Sequence, residues 1–289
     1  MRLPARCRIL AGMESPSAGA GPISLELARL RRSCCTCAMA DICLPPGLEG
    51  RELNRLDVAA LRRHGLERGE AAYRIGDPLQ ALFVVREGAF KSVAIDDAGN
   101  HQVLAFHLPG EVFGLDAIAS GRHACEAVAL QPARLCALPF EDVATVAASL
   151  PQLQHQLLRV LGEAGDADRA HIAVMARRQA VERIALFLRS LARRYARVVE
   201  GDGFRLPMSR EDIGSYLGLA LETVSRGFSR LHEDRVIDVY GRRVRILDPA
   251  ALEALAQAWT AHRPSCAAAP EQGSRSWPRR AAHVIRTRA

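Results

Sequence analysis

Cys34, Cys37 and Cys43 form a C-x2-C-x5-C run, and a further thiol, Cys136, follows far downstream. Thiolates are soft donors, and four converging on one small volume suit a metal ion or an iron–sulfur cluster. Residue type alone leaves both open, because zinc also accepts four sulfur ligands in a tetrahedron. Three clustered donors and one distant one couple an arm of the chain to a folded body. Occupancy of such a site then changes how arm and body sit together, which makes these thiols a candidate sensor.

A second constellation points to nucleic acid. Ser209-Arg210-Glu211-Asp212 has the S-x-x-D form of a helix N-terminus. Ile213, Tyr216 and Leu217 follow on one apolar face, Gly218-Leu219 supplies a turn, and Leu221 to Arg235 predicts a second helix with Val224, Phe228 and Leu231 inward. A short helix, a tight glycine turn and a longer helix are the spacing of a helix-turn-helix. Gly241-Arg242-Arg243 between two short apolar runs reads as a wing. Glu222, Ser225 and Arg226 lie at i, i+3 and i+4, so they share the face opposite the apolar residues. Arg can donate twice to guanine, Glu can accept from cytosine N4, and Ser fits either role. The competing reading is a solvated Glu–Arg pair. Ala220 is a poor cap for this helix, which leaves its first N–H groups open to a phosphate or another group.

These groups need elements to hold them. Leu82–Val85, Ser92–Ile95 and Val103–Phe106 are short apolar runs separated by glycines at 76, 88, 99, 110 and 121, the rhythm of strands and turns in an all-β roll. Upstream, Leu53, Leu56, Val58 and Leu61 recur at helical spacing from Glu49 to His64. Pro151 opens a long helix predicted to reach about Tyr195. It carries two apolar stripes, Leu153, Leu157, Val160, Ala164, Ala167 and Leu158, Leu161, Gly165, Asp168, Ile172, Met175. Two stripes imply two partners, the roll and a second copy of the chain. Gly165 and Asp168 weaken the second stripe, the pattern of a marginal, tunable dimer, unless Asp168 simply faces water.

Composition narrows the class. No apolar run reaches the ~18 residues of a membrane span, and the leader has no continuous apolar core, so a cytoplasmic protein with reduced thiols is expected. The net charge is +7, but residues 263–289 hold six Arg and one Glu, so most of it lies in a Pro- and Ala-rich tail that reads as disordered. Charge by itself therefore carries no argument for DNA. No nucleophile–base set, Gly-rich phosphate loop or paired-histidine metal motif appears, and an enzyme is not expected.

Glu222-Thr223-Val224-Ser225-Arg226 after Gly214-Ser215-Tyr216-Leu217-Gly218-Leu219 resembles the recognition element of the fumarate-and-nitrate-reduction (FNR) branch of the cyclic-AMP receptor protein superfamily. The likeness runs back through Phe106-His107-Leu108-Pro109-Gly110 and Gly114-Leu115-Asp116-Ala117-Ile118 to the cysteine arm, roughly residues 33–254. The resemblance implies that Cys34, Cys37, Cys43 and Cys136 hold an oxygen-labile [4Fe–4S] cluster that favours a homodimer under anoxia. It implies that Asp168 is the seam aspartate that keeps cluster-free chains apart. It also implies that Glu222, Ser225 and Arg226 read half of a TTGAT-type palindrome in double-stranded DNA, with Leu221 suited to a thymine methyl, and that residues 96–101 touch RNA polymerase. Cys35, Gly165 and Ala38 depart from the family pattern, at the first ligand, the seam and the residue after the second ligand. Cys7, Cys125 and Cys266 are read as bystanders.

The expected fold is α+β: a cyclic-nucleotide-binding-like β-roll, a long dimerisation helix and a C-terminal winged helix-turn-helix. The expected divisions are a disordered leader 1–22, a cysteine-rich sensor arm 23–48, the roll 49–150, the dimerisation helix 151–196, the DNA-binding domain 197–262 and the basic tail 263–289. A nucleotide-responsive regulator is the main competitor. Its pocket needs a Gly-Glu turn, met by Gly110-Glu111, and an Arg-Ser pair, whose place holds His123-Ala124 with Arg122 one residue out of register.

Overall fold

The computed structural model describes residues 62–196 and 203–257. The leader, the arm with Cys34, Cys37 and Cys43, and the basic tail lie outside the described residues. Eight short strands come first: β1 Arg62–Leu66, β2 Ala71–Tyr73, β3 Ala81–Glu87, β4 Phe90–Ile95, β5 His101–His107, β6 Val112–Phe113, β7 Glu126–Ala129 and β8 Ala133–Pro139. They make two antiparallel sheets in the orders β1-β8-β3-β6 and β2-β7-β4-β5. Tyr73, Phe83, Phe90 and Phe113 stack between the sheets as the centre of the roll. The glycines at 76, 88, 99, 110 and 121 all have positive φ, as turns between short strands require. Gly88 shows why no side chain will do: at φ 84° its Cβ would stand 2.6 Å from Ala133 Cβ.

Three helices follow, α1 Phe140–Ser149, α2 Pro151–Met175 and α3 Ala180–Tyr195. The stretch expected as one helix from Pro151 to Tyr195 is therefore two, broken at residues 176–179. No Gly or Pro marks the break. Arg177 N–H bonds back to Val174 and Gln179 is extended at φ −91°, ψ 130°, while Arg183 Nε holds the Arg177 carbonyl at 2.9 Å. The break lets α3 turn a different face inward from α2. Ile184, Ala185, Leu188 and Leu191 of α3 are completely buried, whereas Leu158, Leu161 and Ile172 of α2 are exposed. The helix expected over Glu49–His64 is corrected at its end, because Arg62–His64 belong to β1 and pair with β8; the remainder lies outside the described residues.

The C-terminal body contains β9 Gly203–Arg205, α4 Arg210–Leu217, α5 Leu221–Glu233, β10 Ile237–Tyr240, β11 Arg243–Ile246 and α6 Pro249–Gln257. The expected hairpin is present, and β9 adds a third strand in the order β10-β11-β9. α3 packs into this body, so its core begins before residue 197. The same apolar cluster runs on into the outer face of the roll, where Val93, Val103 and Phe106 meet the helices. Among the described residues, no helix is long and apolar enough to cross a membrane.

Candidate nucleic-acid interface and thiol site

α4 starts where the S-x-x-D pattern placed it. Ser209 caps it, its hydroxyl accepting the Asp212 N–H at 3.0 Å, and Asp212 Oδ2 accepts the Ser209 N–H at 2.9 Å, a reciprocal capping box. Gly218 ends it at φ 61°. A Cβ on Gly218 would lie 2.7 Å from Met175 Cε, so the turn needs both positive φ and an open side. α5 follows without a side-chain cap at Ala220.

On α5, Val224, Gly227, Phe228 and Leu231 are buried and Glu222, Ser225 and Arg226 are exposed. The structure thus brings the three polar residues onto one open face. Leu221 beside them is 47% exposed. The sequence reading missed the neighbouring arginines. The Arg210 guanidinium sits 3.4 Å over the Phe228 ring, and burial, then the charge of Arg242, pulls its pKa down to about 10. Arg242 is held by the Pro207 carbonyl at 3.1 Å. Tyr240, at 89% exposure, leads into the wing turn.

This unit is fastened to the roll. Lys91 Nζ lies 2.6 Å from Asp212 Oδ1. Ser215 Oγ accepts the Val103 N–H of edge strand β5 at 2.9 Å, and Gln102 donates to the Ser215 carbonyl. Arg194 closes on both oxygens of Glu111, at 2.7 and 2.6 Å. None of these pairings has a local sequence signal, since the partners lie far apart along the chain.

Cys136 lies in β8, opposite Val84 of β3 and opposite Arg63 of β1. It is half-buried, and alternation places it on the face turned away from the roll interior, because Leu135 and Ala137 point into the interior cluster. Strand β1, the first described element downstream of the cysteine arm, pairs with the strand that carries Cys136, and residues 44–61 lie outside the described residues. Cys34, Cys37 and Cys43 lie outside the described residues. Cys125 is a buried thiol whose pKa burial and Asp116 push up to about 11, the state of an inert core residue.

Asp168 is exposed on α2 in the same open band as Leu158, Leu161 and Ile172. Met175, grouped with that stripe on spacing, instead lies against Gly218.

The groups expected of a nucleotide pocket are engaged elsewhere. Glu111 is tied to Arg194 and also accepts the Leu108 N–H at 2.9 Å. His123 is buried with Nδ1 3.2 Å from Asp116, and Asp116 accepts the Ala124 N–H at 2.8 Å. Asp116 therefore faces His123-Ala124, the position where the nucleotide reading needs an Arg-Ser pair. Residues 96–101 form the β4–β5 tip, where Asp96 accepts the Ala98 and Asn100 N–H groups at 3.0 and 2.8 Å.

Comparison with known proteins agrees with this architecture. The cyclic nucleotide-binding domain family matches residues 63–149, and the Crp-like helix-turn-helix domain family matches residues 182–255. The transcriptional activator protein Anr of Pseudomonas protegens is 40% identical over 236 residues, covering 81% of this chain and 96% of that protein. The fumarate and nitrate reduction regulatory protein of Salmonella typhimurium is 36% identical over 224 residues, covering 77% and 90%. Among solved structures, FixK2 from Bradyrhizobium japonicum superposes with a TM-score of 0.62 at 32% identity, covering 67% of this chain and 96% of that one.

Proposed function

The chain belongs to the family of Crp-like transcriptional regulators that includes Anr and the fumarate and nitrate reduction regulatory protein, and from that premise we propose that it responds to oxygen through a [4Fe–4S] cluster held by Cys34, Cys37, Cys43 and Cys136. It is a regulator of transcription and not an enzyme, and its helix-turn-helix is a DNA-binding element. The observation that carries the cluster reading is the placement of Cys136. It is half-buried on the outer face of β8, beside β1, the first described strand after the three-thiol arm in the sequence. One fixed thiol on a rigid sheet and three on an adjoining arm suit a four-sulfur site. When bound, such a cluster supplies sensitivity to oxygen.

The protein's own residues do the remaining work. Leu158, Leu161 and Ile172 form an exposed apolar band on α2, and burying it against the same band of a second copy makes a homodimer. Asp168 sits in that band, where two carboxylates meeting across the seam oppose association. Gathering the arm onto the roll shifts α2 towards the paired state. The dimer sets two α5 helices one DNA turn apart, and Glu222, Ser225 and Arg226 read each half of a TTGAT-type palindrome. Leu221 supplies an apolar contact for a thymine methyl. The β4–β5 tip is the surface for RNA polymerase, and the protein works in the cytoplasm.

Iron and sulfide analysis of anaerobically purified protein tests the reading. About four irons per chain are expected, the content of a cubane cluster on four thiolates, with loss of that iron in Cys136→Ser. Zinc without iron, or full iron content in Cys136→Ser, overturns it.

A further inference from the structure

The break between α2 and α3 raises a mechanical question. A continuous helix would pass a rotation of α2 into the DNA-binding body through its own hydrogen bonds. Here residues 176–179 interrupt that path, so whatever α2 does at the dimer seam must reach α4 through side chains.

The last two turns of α2 provide the contact. His171 and Met175 are four residues apart and share a helix face. The His171 ring stacks on Tyr216 of α4 with centroids 4.1 Å apart and planes at 28°. Met175 fills the space beside Gly218, where a Cβ would lie 2.7 Å from its Cε. The two residues therefore grip the last turn of the first helix of the helix-turn-helix and the turn that follows it. Tyr216 also meets Phe106 of β5 at 5.2 Å and Phe187 of α3 at 5.7 Å, which places it where roll, α2 and the DNA-binding body join.

His171 is one turn beyond Asp168, the seam residue. Its Nδ1 is buried without a hydrogen-bond partner, a cost an apolar side chain of similar size would avoid. Burial raises the pKa of the Tyr216 phenol, with Arg194 opposing and Asp168 reinforcing that rise, so the seam carboxylate is within electrostatic reach of this ring. Asp168, His171 and Tyr216 thus form a line from the exposed seam to the helix that carries the recognition helix.

We infer that His171 is a positioning residue: stacked on Tyr216, it fixes α4, and with it the recognition helix α5, to the dimerisation helix, so that the paired state of α2 is also the DNA-binding state. This inference rests on α2 being the dimer seam and not on the identity of any metal.

The test compares full-length His171→Ala and His171→Phe with the parent chain. Each is titrated against the palindrome above its dimer dissociation constant, and that constant is measured by sedimentation on the same samples. His171→Ala should weaken DNA binding about tenfold, within the range that residues linking two sites produce, while the dimer constant changes less than about twofold. His171→Phe keeps a flat ring against Tyr216 and should restore affinity to within about twofold of the parent. Tyr216→Leu, which keeps apolar volume but removes the ring, should reproduce the loss from the other side and serves if His171→Ala folds poorly. The inference is overturned if the ring-deleted variants bind as tightly as the parent. It is equally overturned if His171→Phe binds as weakly as His171→Ala, or if the dimer constant falls in step with DNA affinity. Absent iron would count against the cluster reading alone, because the ratio is measured between proteins that are all dimeric.

Discussion

Lys91 of the roll lies 2.6 Å from Asp212, the same carboxylate that completes the capping box of α4. Burial alone would raise the Asp212 pKa, but the Lys91 ammonium and the Ser209 donors outweigh it and hold it below the ordinary carboxylate value. A folded pKa below the unfolded one contributes stability that is present above the unfolded value and lost as pH falls through the folded one. Lys91→Met should therefore be less stable than the parent at neutral pH, by roughly 1 kcal/mol for a pair with this much solvent access. The gap should close below about pH 4, where an unfolded Asp begins to bind its proton. Denaturant melts from pH 7 to pH 3 check this, and a gap that stays constant to pH 3 contradicts it.

Gly214 tests the helix-turn-helix geometry. Helix propensity favours Ala there by about 1 kcal/mol. Against that, a Cβ would stand 2.6 Å from the Leu219 carbonyl oxygen, and Leu219 N–H is bonded to the Gly214 carbonyl at 2.9 Å, so the backbone has little room to move. Gly214→Ala should destabilise the protein by about 1–3 kcal/mol, as overpacking does. A variant as stable as the parent in thermal or denaturant unfolding would show that the turn opens freely.

How much of this was legible in the sequence depends on whether the determinant was local. The glycines at 76, 88, 99, 110 and 121 mark real turns because each positive φ is a property of one residue. Ser209 with Asp212, and Gly218, are likewise local, and they place α4 and its turn correctly. The break at residues 176–179 carries no Gly or Pro, and it arises from the different faces that α2 and α3 turn inward. Strand β1 lay hidden because helical spacing upstream runs into it, and its strand character comes from pairing with β8. α1 and the three-residue β9 passed unnoticed for similar reasons, the one filled with Ala and Val and the other defined by its partner β11. The shared exposed face of Glu222, Ser225 and Arg226 was readable from spacing. Lys91–Asp212, Arg194–Glu111 and His171–Tyr216 were not, because nothing local pairs residues so distant in the chain.

Arg226 should act on sequence preference more than on general affinity. It is exposed on the open face of α5 beside Glu222 and Ser225. An arginine donating twice to guanine contributes about 1–3 kcal/mol of discrimination. Arg226→Ala should weaken binding to the palindrome by that amount and binding to a scrambled duplex far less. Equal losses on both duplexes would assign Arg226 to the phosphate backbone.

Asp168→Ala removes a charge from the open band of α2. If air disfavours dimers as proposed, the aerated variant should sediment with a larger dimer fraction than the parent at the same concentration. On the proposed seam, where Leu158, Leu161 and Ile172 are exposed beside Asp168, removing a like charge favours association. A strictly monomeric variant would place Asp168 outside the interface.

The most direct test of the whole account follows one anaerobic sample through exposure to air, recording its absorption spectrum, its sedimentation and its affinity for the palindrome together. The account predicts a brown dimer that binds the palindrome, then bleaching, dissociation and loss of affinity in the same time course. Colour that fades while affinity stays constant, or binding by a protein that was never coloured, would contradict it.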